Sequence, residues 1–304
     1  MSMLTLKTKA SHWRSRLLAG LAGLRRDPGP MALFPAYRTP PGLIRSSICS
    51  QRQLESDVFQ RWGGAFRERP GHLHRKIWEF CFIAQALHER GMLQTGRTGL
   101  GFAVGQEPLT ATFASMGCDV LATDLEFEKA ELGEWTKTHQ HAASLDHLNL
   151  RGICPPAQLL ERVRFRYVDI RSIPDDLGAF DFLWSACSLE HLGSLALGET
   201  FIWKSLELLK PGGVAVYTTE YNLQSNTATV ADGPSVIYRQ RDIRRIAYDL
   251  SAAGYEIDVD YTLGSDWGDR HVESPPYRHD VHLRLFVKGF ETTSIGLIVM
   301  KPSA

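Results

Sequence analysis

Short apolar runs alternate with segments of helical spacing over most of this chain. Residues 100–104 form an apolar run that meets a turn at Gly105. A helix-length segment follows and ends at Gly117, and a second apolar run closes on Asp124. Residues 163–168 predict a strand ending on Asp169, and residues 180–185 predict another after the loop 174–178. An amphipathic helix over 201–209 is stopped by Lys210-Pro211-Gly212-Gly213 before a strand at 214–218. Residues 242–253 predict a helix ended by Gly254, and 255–261 with 295–300 predict a last pair of strands joined by a long excursion. Strands alternating with helices predict a parallel sheet covered on both faces.

Upstream, Val58, Trp62 and Phe66, then Ile77, Phe80, Cys81, Ala84 and Leu87, recur at three and four between Gln53 and Arg90, which predicts a helical cap. Residues 27–50 carry five prolines and two glycines and predict an irregular connection. The expected organisation is an N-terminal extension and cap over 1–90 and a catalytic domain over 91–304.

Composition narrows the class. The chain has 304 residues, 43% of them hydrophobic, and 34 basic residues against 34 acidic, a formal net charge of +0. That balance argues against general nucleic-acid binding, which needs a basic excess. Cys49, Cys81, Cys118, Cys154 and Cys187 are odd in number and lack C-x-x-C spacing, so they read as reduced, mostly buried thiols of a cytoplasmic protein. The basic amphipathic stretch 13–26 falls short of the roughly 20 apolar residues of a membrane span and reads as a surface helix.

The unit from Thr98 to Glu126 reads strand, glycine turn, helix, strand, acid. A ligand can approach the backbone at such a turn, and an acid ending the second strand can hold ribose hydroxyls, so an adenosine-containing ligand is the first inference. Gly99, Gly101 and Gly105 form G-x-G-x-x-x-G rather than the dinucleotide fingerprint, and a plain glycine-rich turn has the same pattern.

The ordered motifs between residues 93 and 301 resemble class I S-adenosylmethionine-dependent methyltransferases. They are the loop Ala103-Val104-Gly105-Gln106-Glu107, Asp124, Val168-Asp169-Ile170, Asp181-Phe182-Leu183-Trp184-Ser185, Ser188-Leu189-Glu190-His191-Leu192 and Leu208-Leu209-Lys210-Pro211-Gly212-Gly213. The resemblance implies a doubly wound, Rossmann-like, seven-stranded mixed sheet and S-adenosyl-L-methionine as cofactor. It places cofactor contacts at Gly101, Ala103, Gly105, Glu107, Asp124, Leu125, Asp169, Ile170 and Ser185. The chain departs from the pattern at three positions. The usual acid before the loop falls on Gly101, and the outer glycines fall on Ala103 and Glu107, so Glu107 or Gln106 is left to meet the ammonium group.

Methyl transfer needs alignment and, for a hydroxyl acceptor, a base. His191 is the candidate base, with packing beneath the cofactor or a hydrogen bond to a backbone carbonyl as its other readings, and Glu190 beside it is either a second catalytic candidate or a helix N-terminal acid. Glu220 and Asn222 past the fifth strand, with Trp135 and His141 beyond the second, are candidate substrate contacts. The pair His139 and His141 lacks carboxylates at ligand spacing, so no metal is expected. His74 to Glu79 and the late group Arg270, His271, Tyr277, Arg278 and His279 read as solvated faces or as acceptor walls. The expected activity is O-methylation of a small-molecule or sugar-containing acceptor, without nucleic acid or stable membrane insertion. The rival readings are a non-catalytic interaction module that keeps the fold and a nicotinamide-dependent oxidoreductase.

Overall fold

The computed structural model describes residues 37–126 and 141–303. The basic stretch 13–26, Trp135 and His139 lie outside them.

The first part of the chain forms β1 (Ser46–Ile48), α1 (Gln51–Leu54), α2 (Asp57–Ala65), β2 (Leu73–His74) and α3 (Arg75–Glu89). Ser50 and Ser56 start the two short helices by accepting the amides of Gln53 and Phe59, as N-cap side chains do. The expected cap is part of the main body. Helix α3 buries Trp78, Cys81, Phe82, Ile83, Ala84 and Leu87 completely, so it is apolar nearly all round and packs on the sheet as an inner helix. Strand β1 lies in the 27–50 stretch expected to be irregular and is paired on both sides within the sheet.

The rest of the chain forms β3 (Thr98–Phe102), α4 (Leu109–Ser115), β4 (Asp119–Asp124), α5 (Pro156–Arg162), β5 (Val163–Tyr167), β6 (Phe180–Ala186), α6 (Leu195–Glu207), β7 (Leu209–Asn222) and α7 (Gln240–Ala252). Then come β8 (Val259–Asp260), α8 (Trp267–Arg270), β9 (Val272–Glu273), β10 (Val281–His282), β11 (Arg284–Val287) and β12 (Phe290–Met300). The sheet order is β5-β4-β3-β6-β7-β12-β1-β8, with β11 also on β12 and β9 on β11. Strands β3 to β7 are parallel, and β12 runs antiparallel to β7 from Thr292 to Met300. The doubly wound mixed sheet is therefore as expected, but among the described residues it has ten strands and not seven. The additions are β1 and the two- to four-residue pieces of the long excursion, which are too short to show an alternating pattern.

Alternation along the strands supplies two separate cores. Phe182 and Trp184 of β6 face one layer with Phe82 and Phe113, while Leu100, Phe102 and Leu183 face the other with Phe201 and Tyr217. Lys210-Pro211-Gly212-Gly213 is the opening of β7, opposite a register shift between Phe180 and Phe182. Lys210 Nζ there lies 2.8 Å from Asp181, which also accepts from Thr98 and Arg97 and so ties β3, β6 and β7 together.

Candidate functional site

The chain leaves β3 toward β4 on one side and β6 toward β7 on the other, so a crevice opens at the carboxyl ends of β3 and β6, where open α/β sheets bind ligands. The loop after β3 turns sharply there. Ala103 and Gly105 both take left-handed backbone, φ 50° and 53°. Ala103 thus adopts the conformation that a glycine would favour at its position, and keeps it against a strain cost.

Asp124 holds this loop in place. Its Oδ2 accepts the amides of Gly105 and Ala142, each at 3.0 Å, and its Oδ1 accepts that of Leu125 at 2.8 Å. Burial raises the Asp124 pKa, opposed by the amides of Ala142 and Leu125. A carboxylate has about four lone-pair sites, so three amides leave it able to take a further hydroxyl. His141 is buried and donates from Nε2 to Leu125 O at 2.7 Å, while Gln106 donates to the His141 carbonyl at 3.1 Å. His141 therefore clamps the crevice wall from within, and its ring is not presented to an acceptor.

Gly101, Trp184 and Glu107 form one packed unit. A Cβ on Gly101 would lie 2.4 Å from Trp184 Cζ2, so the bare glycine makes room for the indole. The fully buried Trp184 then donates from Nε1 to Glu107 Oε1 at 2.6 Å. Glu107 is only 8% exposed, and burial pushes its pKa up to about 8, with the Trp184 hydrogen bond opposing. Position 101 in β3 carries no acid, and the buried carboxyl of this unit stands on Glu107, in the loop before α4.

No protein family and no curated protein matches this sequence. Among solved structures the fold is similar to an S-adenosylmethionine-dependent methyltransferase from Clostridium acetobutylicum ATCC 824, with 15% identity, TM-score 0.42, and coverage of 76% of this chain and 92% of that one. It is similar to the glycopeptide N-methyltransferase MtfA at 14% identity and TM-score 0.44, covering 76% of this chain and 97% of that one. It is also similar to the [4+2]-cyclase SpnF at 17% identity and TM-score 0.47, covering 86% and 99%. These are likenesses of fold, and what the site can do is argued from its own side chains.

Three of the expected cofactor contacts are otherwise engaged. Asp169 at the end of β5 is gripped by Arg171, which donates from its amide, Nε and Nη2 at 2.8–3.0 Å. Ile170 is buried in the core layer with Leu100 and Phe102. Ser185 is fully buried, donates to Phe102 O at 3.3 Å and shares a short hydrogen bond with Ser188. Ligand contact at Ile170 and Ser185 would have to come through backbone.

Past β6 the chain bends at Cys187, a non-glycine residue at φ 51°. Glu190 is buried and accepts from Thr219 Oγ1 at 2.8 Å. His191, with a side chain 27% exposed, has its Nδ1 3.1 Å from Pro234 O and its Nε2 4.0 Å from Glu190 Oε1. A carbonyl only accepts, so Nδ1 carries the proton and Nε2 the lone pair. The Pro234 carbonyl thus orients the ring through Nδ1.

Glu220 is buried in an ion pair with Arg75 at the start of α3. Next to it Lys76 Nζ lies 2.9 Å from Glu79 Oε2. Burial alone would raise the Glu79 pKa, but Lys76 and Arg75 outweigh it and hold the carboxyl below its ordinary value. Asn222 organises the following turn, accepting the amides of Gln224 and Ser225 and donating to Ala228 O.

The pairing of β2 with β10 was not legible in sequence. It sets His282 beside His74 and brings in His279, Tyr277 and Glu273. His74, Tyr277 and His279 stand in segments marked by charge and aromatics, whereas Glu273 and His282 carry no such signal.

Proposed function

We propose that the protein is an S-adenosylmethionine-dependent methyltransferase that transfers a methyl group to a hydroxyl of a small-molecule or sugar-containing acceptor. The observation that carries this reading is Asp124, which ends β4 at the switch point and accepts the Gly105 amide with a lone-pair site to spare. The donor set suits the cofactor. Asp124 would take ribose hydroxyls, and Leu125 beside it would flank the adenosine. Glu107, a buried carboxyl short of a counter-charge, suits an ammonium group. Asp169 would reach the adenine amine only by sharing its carboxylate with Arg171. When bound, the cofactor supplies the methyl group and its own leaving group.

The chain's residues then have positioning to do. Nε2 of His191 takes the acceptor's proton while Pro234 O holds the ring. Glu190, fixed by Thr219, stabilises the imidazolium that forms. The Arg75–Glu220 pair lines the acceptor side at the end of β7.

A ligand that binds only folded protein raises its stability by about 2.7 kcal/mol at one hundred times its Kd. Saturating S-adenosylhomocysteine should therefore raise the melting temperature by several degrees and NADH should leave it unchanged. A rise with NADH alone would favour the oxidoreductase reading, and none with either would favour the interaction module.

A further inference from the structure

We propose that His74, His279 and His282 form a binding site for a divalent transition-metal ion of the zinc class, with Glu273 as the carboxylate that orients His282. One ligand nitrogen from each of the three rings lies within 4.8 Å of the others. Ring centroids are 4.5 Å apart for His74 and His282, 4.3 Å for His279 and His282, and 5.6 Å for His74 and His279. Three imidazoles around one ion at about 2.0–2.1 Å per bond have centroids roughly 4.5–5.5 Å apart. The rings of His282 and His279 now stack on His74 at 25° and 19° between planes, so capture of an ion turns them to aim their nitrogens at one point.

The backbone builds this group from distant segments. The parallel pairing of β2 with β10 puts His282 in register with His74, and His279 sits on the loop just before β10 at φ 62°. One buried carboxylate secures that loop. Glu273 Oε1 accepts the amides of Arg278 and His279, and its Oε2 accepts from His282 Nδ1. The His282 proton is therefore held on Nδ1, and Nε2 is left with its lone pair. This is the carboxylate–histidine arrangement that fixes tautomer and direction in metal sites.

His74 is the costlier ligand. Its Nδ1 caps α3 by accepting the Lys76 amide at 3.1 Å. Metal capture by the neutral ring costs that bond in either case: the ion takes the Nδ1 lone pair directly, or it takes Nε2 once the ring proton has moved to Nδ1, which then no longer accepts the Lys76 amide. Neutral imidazoles select zinc-like ions over magnesium or calcium, and three protein ligands leave a position open for water or a ligand oxygen. His74 precedes Arg75 directly, so the three histidines stand next to the Arg75–Glu220 ion pair along the chain. The assignment does not depend on the methyl-transfer reading.

The test uses the full chain without an affinity tag, stripped by a chelator and titrated with Co2+ and then Zn2+. One equivalent of Co2+ should bind with visible absorption bands of low-symmetry nitrogen ligation, and Zn2+ should displace it. His279→Ala and His282→Ala should each weaken Zn2+ binding at least tenfold, and Glu273→Gln roughly 10- to 100-fold. His279 is exposed, so its replacement leaves the fold intact and keeps the test valid if the Glu273 variant is unstable. Less than one equivalent bound, or stoichiometric binding unchanged in the His279 and His282 variants, would overturn the assignment.

Discussion

Trp184 donates from its indole nitrogen to Glu107 at 2.6 Å, beneath a strand position where Gly101 leaves room for the ring. This contact accounts for the altered glycine loop. A side chain at position 101 would collide with the indole, and the Glu107 carboxyl stands on the loop, where the same indole holds it.

The Glu107 carboxyl gives stability a distinctive pH dependence. Its folded pKa, about 8, is raised from 4.5 by burial, so its contribution is full below the unfolded value and is lost as pH rises through the folded one. Urea unfolding should show wild type less stable at pH 8.5 than at pH 5.5, by up to roughly 1.4 kcal/mol per unit crossed. Glu107→Gln should remove most of that difference. Parallel pH profiles for the two proteins would contradict the assignment.

Gly101→Ala places a methyl group 2.4 Å from Trp184 Cζ2 and from Val104 Cγ1. Overpacking of this kind costs about 1–3 kcal/mol. The urea midpoint should fall accordingly, and an unchanged midpoint would mean that the indole can move aside.

Asp181 accepts from Lys210, Thr98 and Arg97, and these bonds outweigh the effect of burial, which would raise its pKa, so that it lies below the ordinary carboxylate value. A depressed folded pKa means stability present above the unfolded value of about 3.9 and lost as pH falls. Asp181→Asn should lower stability at pH 7 by about 1–3 kcal/mol and flatten the acid limb of the stability curve. Equal acid limbs in variant and wild type would refute the role.

His191→Gln should leave S-adenosylhomocysteine affinity within about twofold and reduce turnover on a hydroxyl acceptor by roughly 10²–10⁴. Full turnover in the variant would remove His191 as the base.

The parallel core was legible because its strands are buried on both faces and its helices end at glycine, as at Gly117 and Gly254. The switch-point loop and Asp124 were legible for the same reason, since local order in the chain is also order along the sheet. Strands β1, β9 and β11 were not, because pairings of two to four residues are set by partners far away in sequence. The roles of Asn222 and His141 depend on what each side chain reaches, Gln224 and Ser225 in one case and Leu125 in the other. Residue type could not convey that. The histidine group is the clearest case, because His74 and His282 meet through a two-residue pairing of segments far apart in sequence.

The most direct test of the account is calorimetric titration with S-adenosylhomocysteine of wild type and of Asp124→Ala and Asp124→Asn, with circular dichroism confirming the fold of each. The account predicts micromolar binding by wild type, about −8 kcal/mol, weakened at least tenfold in both variants and not reproduced by NADH. Well-folded wild type that takes up no S-adenosylhomocysteine would contradict it.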